Sequence, residues 1–171
     1  VSVPPELQAK IATHPYTRQV MDWGSRPEWS ADSKRLIFVS KEFGDVYELD
    51  IATGKTQPLT YGYPHEGILR AYYLRDGNYL LSAARDHVAG LEPYTRILEP
   101  ELWLLDKSLT GAAMPLNVRM SEGVAVARSS MRIAWMASAP NLPPKPQPRF
   151  PGDRPTITTR QVVDLLRKED N

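Results

Sequence analysis

Short apolar runs alternate with tight-turn signals over most of the chain, and this pattern repeats. Residues 35–40 form a β-rich apolar run directly after Asp32-Ser33, a pair typical of hairpin turns. Residues 46–50 form the next run, and Thr53-Gly54 then marks another hairpin. The pattern predicts one antiparallel unit with an innermost strand, two middle strands and an outer strand.

The same unit returns twice further along the chain. The second copy turns at Asp76-Gly77 and the third at Ser129-Ser130, which gives repeat offsets of 44 and 53 residues. A period of about 40 to 50 residues made of short strands is typical of β-propeller blades. We therefore predict an all-β fold, a β-propeller with about two and a half blades of four antiparallel strands. The predicted blades cover about residues 20–62, 63–119 and 120–137, the last one partial.

The segments outside the repeat have a different composition. Residues 1–19 are predicted to be a lead-in, in which Pro15 limits any helix to about two turns. Residues 138–171 are predicted to be an insertion that starts with a proline-rich tract. Within it, residues 158–170 have the spacing of a short amphipathic helix. The second half of the third blade is then expected beyond Asn171.

The motif at residues 27–40, Pro-x-Trp-Ser-x-Asp-x-Lys-Arg-Leu-x-Phe-x-Ser, resembles the WD40-like, PD40-type repeat of TolB-like β-propellers. A Tyr-x-x-Asp strand, Thr53-Gly54 and Pro58-Leu-Thr60 continue the resemblance, which extends over about residues 20–137. It implies the propeller fold and a periplasmic or secreted location. For function it implies several roles, from docking scaffolds and ligand binders to gating domains of serine peptidases and polysaccharide lyases.

A propeller needs about 4 to 8 blades to close. We therefore expect the remaining blades to lie on the same longer chain or on another polypeptide. The chain starts at Val1 without an initiator Met, so either a leader was removed or the first residues are absent.

Composition excludes several classes of protein. The net charge of +1 and the lack of a basic stripe predict no nucleic-acid partner. No apolar run approaches the ~20 residues needed to span a bilayer. The chain has no cysteine, which excludes disulfides, thiolate metal sites and a cysteine nucleophile. The sequence also lacks a Gly-x-Ser-x-Gly nucleophile elbow and a His-Glu-x-x-His zinc motif.

The repeat also locates the mouth of the predicted channel, where the innermost strands begin. Asp22 and Glu66 stand at equivalent positions before their turns, and so do Arg26 and Arg70. Glu122-Gly123 repeats the pair Glu66-Gly67 in the third unit. The predicted ligand-binding residues are therefore Asp22, Arg26, His65, Glu66, Arg70 and Glu122.

These residue types leave three interpretations open. Carboxylates with one imidazole suit a divalent cation such as Ca²⁺, Mg²⁺ or Mn²⁺, with His65 and Glu66 as candidate ligands. Alternating acids and arginines suit an anionic or zwitterionic ligand. The same residues also suit a structural role, in which they cap strand ends and pair across neighbouring blades.

A long loop in the second unit, from Ala83 to Pro100, is a candidate recognition loop or a solvated surface loop. It contains Arg85, Asp86, His87, Glu92 and Tyr94. Two functions follow from the sequence. The first is noncatalytic binding of a protein partner or small ligand at the channel mouth and this loop. The alternative is a metal-assisted lyase or hydrolase that uses the histidine and carboxylates of the mouth.

Overall fold

The computed structural model describes residues 4–62, 64–87, 89–137 and 159–163, and these residues form mainly antiparallel β-sheets. The first sheet contains, in spatial order, β1 (Ser25–Trp29), β2 (Arg35–Val39), β3 (Val46–Asp50) and β4 (Thr56–Pro58). The second contains β5 (Ile68–Tyr73), β6 (Tyr79–Ala84), β7 (Pro100–Leu105) and β8 (Met114–Arg119). The third contains β9 (Ser121–Val126), β10 (Ile133–Ala137) and β11 (Thr159–Val163). The predicted mainly-β class and the order of strands within each unit are confirmed.

The described residues include two short helices. Helix α1 (Pro5–Thr13) lies in the lead-in and ends before Pro15, because proline cannot continue the helical hydrogen bonding. Helix α2 (Glu92–Leu98) lies within the long loop of the second sheet, where the sequence predicted only a loop. Neither of these helices has the length and apolar character needed to cross a bilayer.

The third sheet corrects two predictions. Strand β11 pairs antiparallel with β10, from Ile133 opposite Val163 to Ala137 opposite Thr159. The predicted helix is therefore wrong for residues 159–163, whose adjacent β-branched residues favour a strand. The third strand of this unit also lies within the chain, so the expectation that it follows Asn171 is wrong. Residues 138–158, with the proline-rich tract, and residues 164–171 lie outside the described residues.

The hairpins between the first two strands of each sheet differ in length. Ser30 N–H donates to Arg35 O, Leu74 N–H to Asn78 O, and Ala127 N–H to Arg132 O. The turn therefore spans residues 31–34, 75–77 and 128–131, and that of the second sheet is one residue shorter. An alignment that matches Asp32-Ser33 with Asp76-Gly77 therefore places β2 and β6 out of register by one residue. In the structure, Ile37 of β2 corresponds to Leu80 of β6.

Successive sheets pack face to face through apolar side chains. The first and second sheets enclose one core cluster, and the second and third sheets enclose another. The first cluster contains Ile37, Val39, Val46, Leu59, Ile68, Ala71, Tyr79, Leu81, Ala83 and Leu105. The second contains Tyr72, Leu74, Leu80, Leu102, Met120, Val124, Ile133 and Trp135. Side chains alternate between the two faces of a strand, so Leu81 faces the first sheet while Leu80 and Leu102 face the third.

Candidate functional site

The first strand of each sheet is irregular at the same end. The pairing register shifts between Ser25 and Glu28 in β1 and between Ile68 and Arg70 in β5. In β9 the partner moves from Val124 to Ser121 between Trp135 and Met136. A bulge of this kind bends a strand and redirects its side chains, and bulges are common beside functional sites. We call these three ends, residues 25–28, 68–70 and 121–124, the mouth.

The mouth contains three of the residues that the repeat predicted. Arg26, Arg70 and Glu122 lie in the irregular parts of β1, β5 and β9, although the side chain of Glu122 is outside what the structure describes. Asp22 and Glu66 precede β1 and β5, and both are exposed. Strand β5 packs against both β1 and β9. Among the described residues, His, Asp and Glu form no group of three arranged to hold a metal ion.

Arg26 is held by contacts to the neighbouring sheet and loop. Its backbone has a φ of +55°, a left-handed conformation that is rare for arginine. Its guanidinium donates to the backbone O of Leu69 at 2.9 Å and to the carboxylate of Glu42 at 3.1 Å. Glu42 also lies 3.6 Å from the guanidinium of Arg96 in α2. The guanidinium of Arg26 is thus held by partners within the chain, and it shares the carboxylate of Glu42 with Arg96.

Arg70 has a different environment at the equivalent point of the second sheet. Its Nε lies 3.5 Å from the place that a Cβ on Gly123 would take, so the guanidinium runs alongside β9. No described carboxylate forms an ion pair with it. Next to it, the hydroxyl of Tyr72 accepts from Val124 N–H at 3.1 Å, and burial raises the pKa of this tyrosine. Arg70 is a half-buried cation of the mouth. Among the described side chains, none provides a counter-ion for it.

His65 is used by the fold on both sides of its ring. Its Nδ1 accepts from Gly67 N–H at 3.0 Å, so the neutral ring carries its proton on Nε2 and donates to Asp45 Oδ1, also at 3.0 Å. Asp45 Oδ1 in addition accepts from the hydroxyl of Thr60. Neither ring nitrogen is left for a metal ion in this arrangement. The imidazole of His65 thus links Asp45 to the backbone of Gly67, and its predicted part in ligand or metal binding stays a prediction.

The long loop of the second sheet is also engaged within the chain. His87 packs edge-on against Phe43 with 4.9 Å between ring centroids, and Arg85 lies 3.9 Å from the carboxylate of Glu99. The carboxylate of Glu92 accepts from Gly90 N–H, and backbone N–H groups of Glu92 and Gly90 lower its pKa. These side chains of the loop thus have partners within the chain.

Sequence reasoning missed the loop between β2 and β3, which supplies Glu42, Phe43 and Asp45. These residues follow no strand periodicity, so no pattern singled them out. One signal was present in Gly67, whose φ is +104° and whose Cβ, if it had one, would lie 2.5 Å from the Cβ of Phe43. Only glycine allows this close approach. The packing of this loop thus requires the glycine beside His65 and Glu66, although the glycine alone does not identify the loop.

Comparisons with known proteins show similarity in structure but none to a family model or a curated protein. The chain is similar in structure to TolB from Acinetobacter baumannii, solved by crystallography, with 19% sequence identity and a TM-score of 0.47. The similarity covers 73% of this chain and 29% of the TolB chain. The chain therefore spans less than a third of the length of the solved structure that it matches.

Proposed function

We propose that this chain is an arc of a TolB-like β-propeller and that it binds a protein partner or small ligand at the mouth without catalysing a reaction. One observation supports this proposal above the others. The innermost strands of three successive sheets are irregular at the same end, and the irregular residues include the predicted Arg26, Arg70 and Glu122. Bulges are common at sheet edges and beside functional sites, and here they redirect the strands at the predicted residues.

The charges of the mouth suggest the chemistry of its ligand. Arg70 offers a half-buried guanidinium without a described counter-ion, and arginine binds carboxylates and phosphates through paired hydrogen bonds. Asp22 and Glu66 are exposed, lie close in sequence to Arg26 and Arg70, and provide negative charge. We therefore propose an anionic or zwitterionic group on the ligand, with the anion at Arg70.

The alternative, a metal-assisted lyase or hydrolase, gains no support from the described contacts. Both ring nitrogens of His65, its proposed metal ligand, are engaged by Asp45 and Gly67. Glu66, the second proposed ligand, is exposed and belongs to no group of three suitable residues in the described part of the chain. Metal binding by His65 and Glu66 stays a prediction that equilibrium dialysis with Ca²⁺, Mg²⁺ and Mn²⁺ would test.

Two further expectations belong to this proposal. Closure of the arc requires more blades, either on the same longer chain or on another polypeptide, and the intact mass under denaturing conditions distinguishes these sources. A mass of 19.3 kDa would indicate another polypeptide, and a larger mass would indicate further blades on this chain. We also propose a periplasmic or secreted location, which cell fractionation tests.

Site-directed photo-crosslinking tests binding at the mouth. A photoreactive residue replaces Glu66, and the control replaces Ala52, which is exposed in the turn between β3 and β4 at the opposite end of the sheet. We expect a discrete crosslinked product only from position 66. Arg70→Glu should abolish it, whereas Arg128→Glu, at an exposed arginine in the turn between β9 and β10 at the opposite end of the third sheet, should not. Identical products from both positions, or full crosslinking in Arg70→Glu, would contradict the proposal.

A further inference from the structure

Gly123 leaves a small gap beside two hydrogen-bond donors of the mouth. It lies in the bulge of β9, between Ser121 and Val124, which pair with successive residues of β10. A Cβ at Gly123 would lie 3.5 Å from Nε of Arg70 and 3.7 Å from the hydroxyl oxygen of Tyr72, and it would meet no described atom at a shorter distance. These are ordinary contact distances, so the place of the missing Cβ has room for one atom of similar size. We call this place the Gly123 gap.

The two donors beside the gap have no acceptor among the described residues. The hydroxyl oxygen of Tyr72 accepts from Val124 N–H, and no described residue accepts the hydrogen of this hydroxyl in return. The guanidinium of Arg70 likewise forms no hydrogen bond and no ion pair within the described part of the chain. Tyr72 is buried, and a buried donor without an acceptor costs stability. Both groups are therefore available to an acceptor that the fold itself does not supply.

Two deeper side chains of the same interface also have no partner. Ser82 lies opposite Arg70 in the pairing of β5 and β6, so the two side chains lie on the same face of the second sheet. Ser82 is fully buried, and its hydroxyl forms no hydrogen bond. Trp135 lies opposite Val124 and is also buried, and its Nε1–H has no acceptor. Buried polar groups are normally satisfied, so a group of unsatisfied donors at one end of an interface favours an anion site.

The charges around Tyr72 favour an anion with a single negative charge. Burial raises the pKa of Tyr72, the guanidiniums of Arg70 and Arg26 oppose this rise, and the carboxylate of Glu28 adds to it. Two cations and one carboxylate therefore act on this hydroxyl, and Arg26 is already paired with Glu42. A carboxylate, with one charge, is repelled less by Glu28 than a phosphate with two charges would be.

We propose that the mouth binds a carboxylate group of its ligand, with one carboxylate oxygen at the Gly123 gap, where it accepts from Arg70 and from the hydroxyl of Tyr72. The inference rests on the proposed binding function, because it identifies the chemical group that Arg70 binds. An oxygen in the gap lies within about 1 Å of hydrogen-bond distance from each donor. Tyr72 and Gly123 thereby join the binding residues, although the repeat predicted neither of them for this role.

Gly123→Ala tests the gap directly, because it fills the gap with a methyl group and changes no charge and no donor. The contacts of this methyl group are ordinary ones, so we expect the variant to fold. Gly111→Ala is the matched control, since a Cβ at Gly111 would meet nothing within 4 Å. Acetate is the probe, and it is titrated at constant ionic strength into each intact protein. NMR spectroscopy of ¹⁵N-labelled protein follows the Nε–H signal of Arg70, and inorganic phosphate is titrated in parallel.

We expect acetate to shift the Arg70 signal to saturation in the unmutated protein and in Gly111→Ala. Gly123→Ala should weaken the acetate affinity about tenfold, which corresponds to the loss of one hydrogen bond to a charged group. Tyr72→Phe, which removes only the hydroxyl, should weaken it by a similar factor. Phosphate should bind more weakly than acetate.

Equal acetate affinities of Gly123→Ala and Gly111→Ala, or no saturable shift in the unmutated protein, would overturn the proposal. Phosphate that bound more tightly than acetate would overturn the carboxylate as the group that is recognised. Gly123→Ala keeps the test valid if Tyr72→Phe fails to fold, since only Tyr72→Phe removes the acceptor of Val124 N–H. Crosslinking at position 66 without acetate binding would retain the binding function and remove only the carboxylate. Acetate binding without a crosslinked product would support the gap as an anion site and remove the protein partner.

Discussion

The interface between the first and second sheets and the interface between the second and third sheets have side chains of opposite character at equivalent positions. Glu48 of β3 lies opposite Ile37, and Leu104 of β7 lies opposite the corresponding Leu80. Between the first and second sheets, Glu48 accepts from the hydroxyl of Tyr73 at 2.8 Å. Between the second and third sheets, Leu104 packs in an apolar cluster that includes Val126, the counterpart of Tyr73. One interface thus contains a charge where the other contains hydrocarbon.

The difference shows what a buried charge requires in this fold. Glu48 is only 5% exposed, and it also accepts from Arg35 at 3.3 Å and from Gln57 at 2.9 Å. The guanidinium of Arg35 lies 5.6 Å from the centroid of the Tyr73 ring, which adds a cation–π contact. A buried carboxylate is tolerated only when such donors surround it. The repeat therefore fixes the backbone position, and the neighbouring sheet decides which side chain the position accepts.

Truncation in the apolar interface should have the largest effect. Leu102 is fully buried between the second and third sheets, so Leu102→Ala removes hydrocarbon from the core and leaves a cavity. We expect a loss of about 3 kcal/mol in the free energy of unfolding. Urea denaturation followed by tryptophan fluorescence measures it. The matched control is Leu7→Ala in α1, where the side chain is 49% exposed and the expected loss is below about 0.5 kcal/mol. Similar losses in both variants would contradict the assignment of Leu102 to the core.

Replacing the buried charge of the first interface with an apolar side chain should cost less stability than the truncation of Leu102. Glu48→Leu leaves Tyr73 and Gln57 without their acceptor, and we expect a loss of about 2 kcal/mol. Tyr73→Phe alone should cost about 1 kcal/mol. The double variant Glu48→Leu/Tyr73→Phe leaves fewer buried donors unpaired, so its loss should be about 1 kcal/mol smaller than the sum of the single losses. Strictly additive losses in urea denaturation would show that the two residues are not coupled.

The sequence predicted the repeat itself better than it predicted the contacts between the copies of the repeat. Strand positions, turns and the end of the sheets that contains Arg26 and Arg70 followed from periodicity and turn chemistry. The exact register of the strands did not follow from the sequence, because the hairpin turn at 75–77 is one residue shorter than the other two. Aligning Asp76-Gly77 with Asp32-Ser33 conceals this difference. The partner of His65 did not follow either, since Asp45 is twenty residues away in a loop without periodicity. Side chains that meet across sheets are set by tertiary packing, which one sequence pattern does not encode.

Alkaline pH should weaken the charged interface more than the apolar one. Burial and the contact with Glu48 raise the pKa of Tyr73, and burial likewise raises that of Tyr79 in the same interface. A raised pKa in the folded state means that this stability is complete below the ordinary value of 10 and is lost as pH rises above it. We expect the free energy of unfolding to fall between about pH 10 and 11 and to fall less in Tyr73→Phe. Tyr61→Phe, at a tyrosine that is 78% exposed outside both interfaces, is the control. An equal pH dependence in Tyr73→Phe and the unmutated protein would contradict the role of Tyr73.

Acid should have the smallest effect, because it acts on the exposed turns and leaves both interfaces intact. Hydrogen bonds from Thr53 lower the pKa of Asp50, and those from Ser30 and Ser108 lower the pKa values of Asp32 and Asp106. A lowered pKa means that this stability is present above the ordinary value of 3.8 and is lost as pH falls below it. We expect the melting temperature to decline slightly between about pH 4 and 2.5, and Asp50→Asn to remove part of that decline. Asp86→Asn, outside these turns, is the control. If Asp50→Asn declined as steeply as the unmutated protein, Asp50 and its turn would not be a source of the acid sensitivity.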